Sequence, residues 1–288
     1  MMSDLLDAWR FPDPPAPHEE TGFFTDTTLC IGCKACEVAC KQWNQLPADG
    51  FHFTGNSYDN TVHLSGTTWR HVAFVEQFDR NAGADGNGGT SANGVGTNNN
   101  LPGRWLMMSD VCKHCVNAPC QEACPTGALI YNEFGNVYVQ QDICNGCGYC
   151  VAACPFGVID RDPEDGRAHK CTLCYDRQKD GMTPACAKAC PTESIKFGPI
   201  KKLHQIARER VAELHERGES DAYLYGAEAS GEYSALNAFF LLKDHPNVYN
   251  LPTAPRRPQA HLKTNWLVSL GAAVGLAAAS AILLSREK

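Results

Sequence analysis

The sequence lacks the basic runs that nucleic-acid-binding proteins use, since no stretch of Lys and Arg is longer than a pair such as Arg256-Arg257. Its 288 residues carry a formal net charge of -7 at pH 7. Phosphate backbones attract clustered positive charge, so we expect no nucleic-acid partner. The chain also lacks the phosphate-binding patterns G-x-G-x-x-G before a helix and G-K-[ST]. We therefore interpret the Gly- and Asn-rich segment 81–103 as a mobile surface loop.

An export signal is also missing, because no charged, then apolar, then small-residue pattern opens the chain. Residues 1–29 instead contain Pro12, Pro14, Pro15 and Pro17, which predict an extended tail. We therefore expect the chain to be assembled in the cytoplasm.

Cysteine is the residue that the sequence has in excess, with 16 in all. Residues 144–155, C-N-G-C-G-Y-C-V-A-A-C-P, have the ferredoxin spacing C-x2-C-x2-C-x3-C-P. In that run Cys144, Cys147 and Cys150 hold one [4Fe-4S] cluster, whereas the fourth thiolate, Cys154, ligates a second cluster. The other cysteines form three groups with the same x3-C ending: Cys30, Cys33, Cys36 and Cys40; Cys112, Cys115, Cys120 and Cys124; Cys171, Cys174, Cys186 and Cys190. The pattern predicts four [4Fe-4S] clusters and leaves no thiol for other chemistry.

Two other interpretations of so many cysteines are a disulfide scaffold and structural zinc. Disulfide scaffolds are usually short secreted chains, unlike this one. Zinc sites pair two C-x2-C units in tetrahedral geometry and do not need a further cysteine at x3 before proline. Every predicted cluster has four thiolates, so we expect the flanking side chains to lie beside a cluster or at the surface rather than to ligate iron; these are His114, His169, Lys113, Lys170 and Lys188.

The segments between the cysteine groups predict an α+β fold. Residues 35–43 favour a short helix that carries Cys40, and residues 200–217 favour an amphipathic helix. Residues 51–78 alternate apolar and polar side chains as strands do, and 105–110 predict another strand. Hairpins are expected on both sides of Gly135 and around the D-P-E-D-G turn, with a strand at S-I-K-F-G.

The C-terminal region ends in twenty uncharged residues, 266–285. That length spans a bilayer core, which predicts a single transmembrane anchor, although the many alanines leave a buried C-terminal helix as the alternative. The G-A-A-V-G segment at 271–275 allows close helix approach, as expected of a helix that docks on an integral membrane subunit.

Four stretches of the sequence carry a resemblance to a known family. They are C-I-G-C-K-A-C-E-V-A-C-K-Q-W-N, G-N-S-Y-D-N-T with T-W-R-H-V-A-F-V-E-Q, C-K-H-C-V-N-A-P-C-Q-E-A-C-P-T-G-A-L and K-C-T-L-C-Y-D-R. These stretches resemble the iron-sulfur (beta) subunit of membrane-bound respiratory formate dehydrogenases. The cysteine pattern is shared with beta subunits of other molybdenum or tungsten oxidoreductases, such as sulfur-compound or dimethyl sulfoxide reductases, which remain an alternative. In nitrate reductase relatives a tryptophan replaces one cysteine of the third group, whereas Cys147 is intact here.

The resemblance implies two ferredoxin-like dicluster domains with nested pairing of the groups. The domains would be 30–108 with 165–199, and 109–164, followed by a helix and linker at 200–262 and the anchor at 263–288. By the crossing rule the implied ligand sets are Cys30, Cys33, Cys36 and Cys190; Cys112, Cys115, Cys120 and Cys154; Cys144, Cys147, Cys150 and Cys124; Cys171, Cys174, Cys186 and Cys40.

The function implied by the resemblance is electron transfer without catalysis by this subunit. Electrons would pass from a catalytic alpha subunit with a molybdenum or tungsten bis-pterin centre, where formate is oxidised, to a membrane cytochrome b or another quinone-reactive subunit. The cluster domains would lie on the periplasmic face, exported in folded form with a partner that bears a twin-Arg signal, although the residues leave a cytoplasmic face open. A zinc-stabilised scaffold protein is the alternative from another class.

Overall fold

The computed structural model describes residues 19–286 except 52, 57, 78–103, 230, 231 and 234. The predicted loop at 81–103 and most of the predicted tail therefore lie outside the described residues. The strands are β1 (Thr21–Asp26), β2 (Arg70–Gln77), β3 (Arg104–Val111), β4 (Leu129–Tyr131), β5 (Val137–Val139), β6 (Asp160–Arg161), β7 (Ala168–His169), β8 (Ile195–Pro199), β9 (Tyr223–Tyr225) and β10 (Ala238–Leu242). The helices are α1 (Ala35–Asn44), α2 (Pro119–Glu122), α3 (Tyr149–Ala153), α4 (Tyr175–Lys179), α5 (Ala185–Lys188), α6 (Ile200–Glu216) and α7 (Leu262–Arg286).

A four-stranded sheet in the order β8-β1-β10-β9 joins the two ends of the cysteine-rich region. Its central strands β1 and β10 are parallel, with Phe24 opposite Phe239, and these two rings stack with centroids 5.4 Å apart. Both phenylalanines are fully buried. Helix α6 packs on the sheet through Leu203, Ala207 and Leu214, which share a core cluster with the two rings.

Two expectations are corrected by this sheet. Residues 21–26 belong to its centre rather than to an extended tail, and 238–242 lie in its other central strand rather than in a linker. All five residues of β10 are buried. Central strands of parallel pairs are covered on both faces, so their sequences show apolar runs instead of the alternation that identifies half-buried strands.

The local predictions are confirmed for the helices α1 and α6, for strands β3 and β8, and for the hairpins β4–β5 and β6–β7. The strand expected across residues 51–78 is shorter: among the described residues of that range, Arg70–Gln77 forms β2, which pairs with β3. Phe51 and Phe53 are exposed, so the alternation that suggested a strand there does not correspond to a buried face.

The C-terminal helix α7 stands apart from the core. Its segment Thr264–Leu283 has a mean hydropathy of 2.0 and none of it is buried. Trp266 and Leu267 are about two-thirds exposed, at 70% and 68%. By length and composition this segment is a candidate membrane-spanning helix, and its exposure disagrees with the alternative of a buried C-terminal helix.

Candidate metal centres

The four cysteine groups share a backbone geometry at the position two residues after the first cysteine. Gly32, His114, Gly146 and Leu173 occupy this position, and each has a positive φ, of 66°, 42°, 72° and 55° respectively. Left-handed residues curl the chain tightly, which lets successive thiols and backbone N–H groups face one centre. The four cysteine groups, which share a spacing in the sequence, therefore also share a backbone conformation.

Two cavities are each lined by four thiols that come from two different groups. Cys30, Cys33, Cys36 and Cys190 line the first cavity. The second cavity is lined by Cys112, Cys115, Cys120 and Cys154. In each case three cysteines come from one group and the fourth cysteine comes from another, as crossed ligation requires.

The remaining thiols gather in two further places. Burial raises the pKa of the Cys40 thiol well above its ordinary value, and the nearby Cys171, Cys186 and Cys174 raise it further. Burial likewise raises the pKa of Cys150 to about 11, with smaller contributions from Cys144, Cys124 and Cys147. Helix α1 packs on α5, and α2 on α3, which brings the groups together in these pairs.

Neighbouring sets also approach one another in a fixed order. Cys36 lies near Cys186, Cys171 near Cys112, and Cys120 near Cys150, close enough for each charge to act on the other thiol. The four sets therefore follow one another through the protein, from the set of Cys36 through those of Cys171 and Cys112 to the set of Cys150.

Thiol burial explains why these sites need a metal to hold thiolates. Burial raises the pKa of Cys36 to about 12 and that of Cys174 to about 12. Iron binds the thiolate, so cluster insertion must displace the protons of Cys36 and Cys174.

Buried cations show that an anionic group fits here. Arg70 and Lys170 are 1% and 2% exposed, and within the described part of the chain neither has a carboxylate within salt-bridge distance. Lys170 Nζ donates to the carbonyls of Val137 and Cys171 at 2.5 and 3.0 Å. Lys113, also buried, pairs with Asp110. Burying an uncompensated charge is costly, and thiolate-bound clusters, each with a formal charge of about -2 when oxidised, would supply the counter-charge.

A buried histidine gives a second sign of fit. The side chain of His114 is fully buried beside the cavity that contains Cys112, and neither ring nitrogen has a hydrogen-bond partner among the described residues. Burial, aided by Lys170 and Arg70, holds the pKa of His114 well below its ordinary value. A neutral imidazole has one N–H to donate, and a cluster sulfur would accept it.

The flanking residues differ in their positions. Lys113, His114 and Lys170 lie in the interior, whereas Lys188 is exposed. His169 is partly buried and contacts Asp165 at 3.0 Å. Sequence reasoning missed Arg70, whose guanidinium donates to Cys186 Sγ at 3.2 Å. The sequence places Arg70 in a predicted strand, but the strand pattern does not show whether its side chain points into the interior or towards solvent.

Comparison with known proteins identifies the same chemistry. A family model described as a 4Fe-4S dicluster domain matches residues 103–200, and a second with that description matches 29–128. The formate dehydrogenase-O iron-sulfur subunit of Escherichia coli K12 is 40% identical over 253 residues, which cover 84% of this chain and 75% of the relative. The formate dehydrogenase iron-sulfur subunit of Haemophilus influenzae is 38% identical over 261 residues, 88% of this chain and 76% of the relative. A subunit of the anaerobic dimethyl sulfoxide reductase of E. coli K12 is 34% identical over 184 residues, 64% of this chain and 76% of the relative.

Proposed function

The protein belongs to the family of formate dehydrogenase iron-sulfur subunits, and from that premise we propose that it conducts electrons between a catalytic subunit and a membrane subunit through the four crossed cysteine sets. The family and its two dicluster domains make it an electron-transfer subunit and not a catalyst. Its 16 cysteines agree with four [4Fe-4S] clusters. When bound, such clusters take up and release single electrons.

The proposed ligands are the four crossed sets. They are Cys30, Cys33, Cys36 and Cys190; Cys40, Cys171, Cys174 and Cys186; Cys112, Cys115, Cys120 and Cys154; Cys124, Cys144, Cys147 and Cys150. The observation that carries this assignment is the pair of cavities that each contain three thiols of one group and the last thiol of another. The packing of α1 on α5 and of α2 on α3 supports the corresponding nested domains, 30–108 with 165–199 and 109–164.

The order of the sets supports electron entry and exit at opposite ends. Cys33 and Cys147, which belong to the first and last sets in this order, are the exposed cysteines, whereas the thiols of the two middle sets are buried or partly buried. Ile31 and Val38 are exposed beside the first set, at 60% and 67%. Exposed apolar side chains next to a redox site suit a protein partner that approaches closely. Tyr149 gives the last set a similar surface.

The family implies a complex with catalytic and membrane subunits. We propose that the catalytic partner holds the molybdenum or tungsten bis-pterin centre and that the membrane partner is a cytochrome b or another quinone-reactive subunit. The apolar segment Thr264–Leu283 supports a C-terminal anchor beside that subunit. From the family resemblance we propose that the cluster domains lie on the periplasmic face. The similarity to a dimethyl sulfoxide reductase subunit supports the second candidate, a different oxidoreductase complex, although it covers less of the sequence than the formate dehydrogenase relatives do.

The test begins with the full chain purified under anaerobic conditions. We expect brown protein with about sixteen iron atoms per chain, as four cubanes require, that bleaches with dithionite. Formate should reduce the clusters in the presence of the co-purified catalytic subunit and should have no effect on this chain alone. Colourless protein that contains zinc would overturn the cluster assignment. Reduction of the complex by an electron donor other than formate, with formate inactive, would favour the second candidate.

A further inference from the structure

Arg70 lies at the contact between two proposed cluster sites. It begins β2, is 1% exposed, and its guanidinium stands over the ring of Phe23 at 4.8 Å. Nη2 donates to Cys186 Sγ at 3.2 Å, and Nη1 donates to the Ser109 carbonyl at 3.2 Å and to its Oγ at 3.3 Å. Nε has no hydrogen-bond partner among the residues that the structure describes.

Ser109 extends this contact to the other site. It lies in β3, is 1% exposed, and its Oγ is 3.2 Å from Cys36 Sγ. Arg70 therefore contacts the set of Cys186 directly and the set of Cys36 through one hydroxyl group. The charge of Arg70 also acts on Cys171 and Cys40, which belong to the same set as Cys186.

The charge at this place is permanent, and no carboxylate of the described residues lies within salt-bridge distance of it. Arginine stays protonated under all conditions in which proteins are folded, and its planar group can donate in several directions at once. No carboxylate of the described residues forms a salt bridge with Arg70. A buried guanidinium without a carboxylate is costly, so its position is explained by the anionic sites on both sides of it.

We propose that Arg70 is a shared positioning residue that raises the reduction potentials of the two adjacent cluster sites, with Ser109 relaying its hydrogen bonding to Cys36. This inference rests on the ligand sets of the proposed function. Each reduction adds one negative charge, and a nearby buried cation stabilises the more negative state. Because Coulomb energy falls with distance, the set of Cys144, Cys147, Cys150 and Cys124 should be affected least. A single side chain thus shifts two neighbouring potentials together.

The test is a redox titration of the full chain, monitored by electron paramagnetic resonance, in wild type and four variants. R70M removes the charge with an apolar side chain of similar length, R70K keeps the charge without the planar donor group, and S109A removes only the relay. R208M is the matched control, because Arg208 is an exposed residue of α6. Signals are assigned by their loss in C33A and C174A proteins.

R70M is expected to lower the reduction potentials of two clusters, the one lost in C33A and the one lost in C174A. The potentials of the other two clusters should shift less. R70K should shift the potentials of the first two clusters by less than R70M does. S109A should lower the potential of the Cys33 site and leave that of the Cys174 site in place. Unchanged potentials in an R70M protein with full iron content, or a uniform shift like that of R208M, would overturn the proposal.

If the R70M protein does not assemble its clusters, S109A and R70K still test the proposed role of Arg70. In that case unchanged potentials in S109A overturn the relay to Cys36, and R70K tests the direct effect on the Cys186 site. Iron content separates this inference from the proposed function. Full iron with unaltered potentials refutes the role of Arg70 alone, whereas wild-type protein without four clusters refutes the ligand sets themselves.

Discussion

Replacement of Cys154 by alanine tests whether neighbouring cysteines in the sequence share a cluster. Sequence proximity would place Cys154 with Cys150, four residues away. The structure places it in the cavity of Cys112, Cys115 and Cys120. Alanine removes the thiolate without offering an oxygen ligand, so one cluster should be lost and its three partner thiols should remain.

The magnitude follows from the number of sites. Loss of one cubane removes about four of about sixteen iron atoms, so C154A should retain roughly three-quarters of the wild-type iron. Cys115 is proposed to belong to the same site, so the C154A/C115A double variant should lose no more iron than the larger of the single losses. Cys147 is proposed to belong to another site, and C154A/C147A should lose about half of the iron, because independent sites add.

The assay is iron and sulfide content of anaerobically purified protein, together with the electron paramagnetic resonance spectrum after reduction. C124A is the matched control. Cys124 is the last cysteine of the preceding group, as Cys154 is of its own group, and is proposed to share a cluster with Cys147. The iron losses of C124A should therefore add to those of C115A and should not add to those of C147A. The crossed assignment would be refuted if C154A/C115A lost the sum of the two single iron losses and C154A/C147A lost no more iron than a single variant.

Three further outcomes are expected. Truncation after Pro258 should leave full iron content and move the protein from the membrane fraction to the soluble fraction when it is expressed without partners; retention in membranes would contradict the anchor. G32A should lose the first cluster, because a Cβ there would lie 2.6 Å from side chains of β2 and β3, whereas G127A, with similar positive φ and open space, should keep all iron. Burial acts to lower the pKa of His71, but its hydrogen bond with Asp59 and its ion pair with Glu37 raise it to about 9, so its contribution to stability is complete below about pH 6.5 and is lost as the pH rises through 9. Between pH 7 and 10 the unfolding midpoint of cluster-loaded wild type should fall more steeply than that of H71Q; parallel slopes would contradict this.

The cysteine groups were predictable from sequence because ligand spacing is a local property. A cubane fixes the separation of its first three thiolates, and the x3-C ending follows from the short helix that carries the last one. Helix α6 was predictable for a similar reason, since its amphipathic period and Gly218 just beyond its end appear within one stretch of chain. The hairpin at Gly135 also has its turn signal inside the segment.

The central sheet could not be predicted because its signals are not local. Strand β10 is a short apolar run, A-F-F-L-L, shortly before a proline-rich segment, and its place in the sheet is set by its pairing with β1, more than two hundred residues earlier. Arg70 shows the same limitation for the site. Its charge favoured an exposed position, and its burial follows from two sets of thiols that come together only in the folded chain.

The residue with positive φ, two positions after the first cysteine of each group, differs between the outer and the inner sites. Gly32 and Gly146 occupy this position in the first and last sets of the series, where the following cysteines, Cys33 and Cys147, are exposed. In the two inner sets His114 and Leu173 occupy it, and both are fully buried.

A side chain in this backbone region costs of order 1 kcal/mol and persists only where the surroundings hold it. The inner loops carry that strain and in return cover their sites: the cysteines that follow His114 and Leu173, Cys115 and Cys174, are only 8% and 6% exposed. The outer loops, free of a side chain there, leave a thiol at the surface. In the proposed relay the inner sites would exchange electrons with neighbouring sites alone, whereas the exposed outer sites could also exchange them with partner proteins.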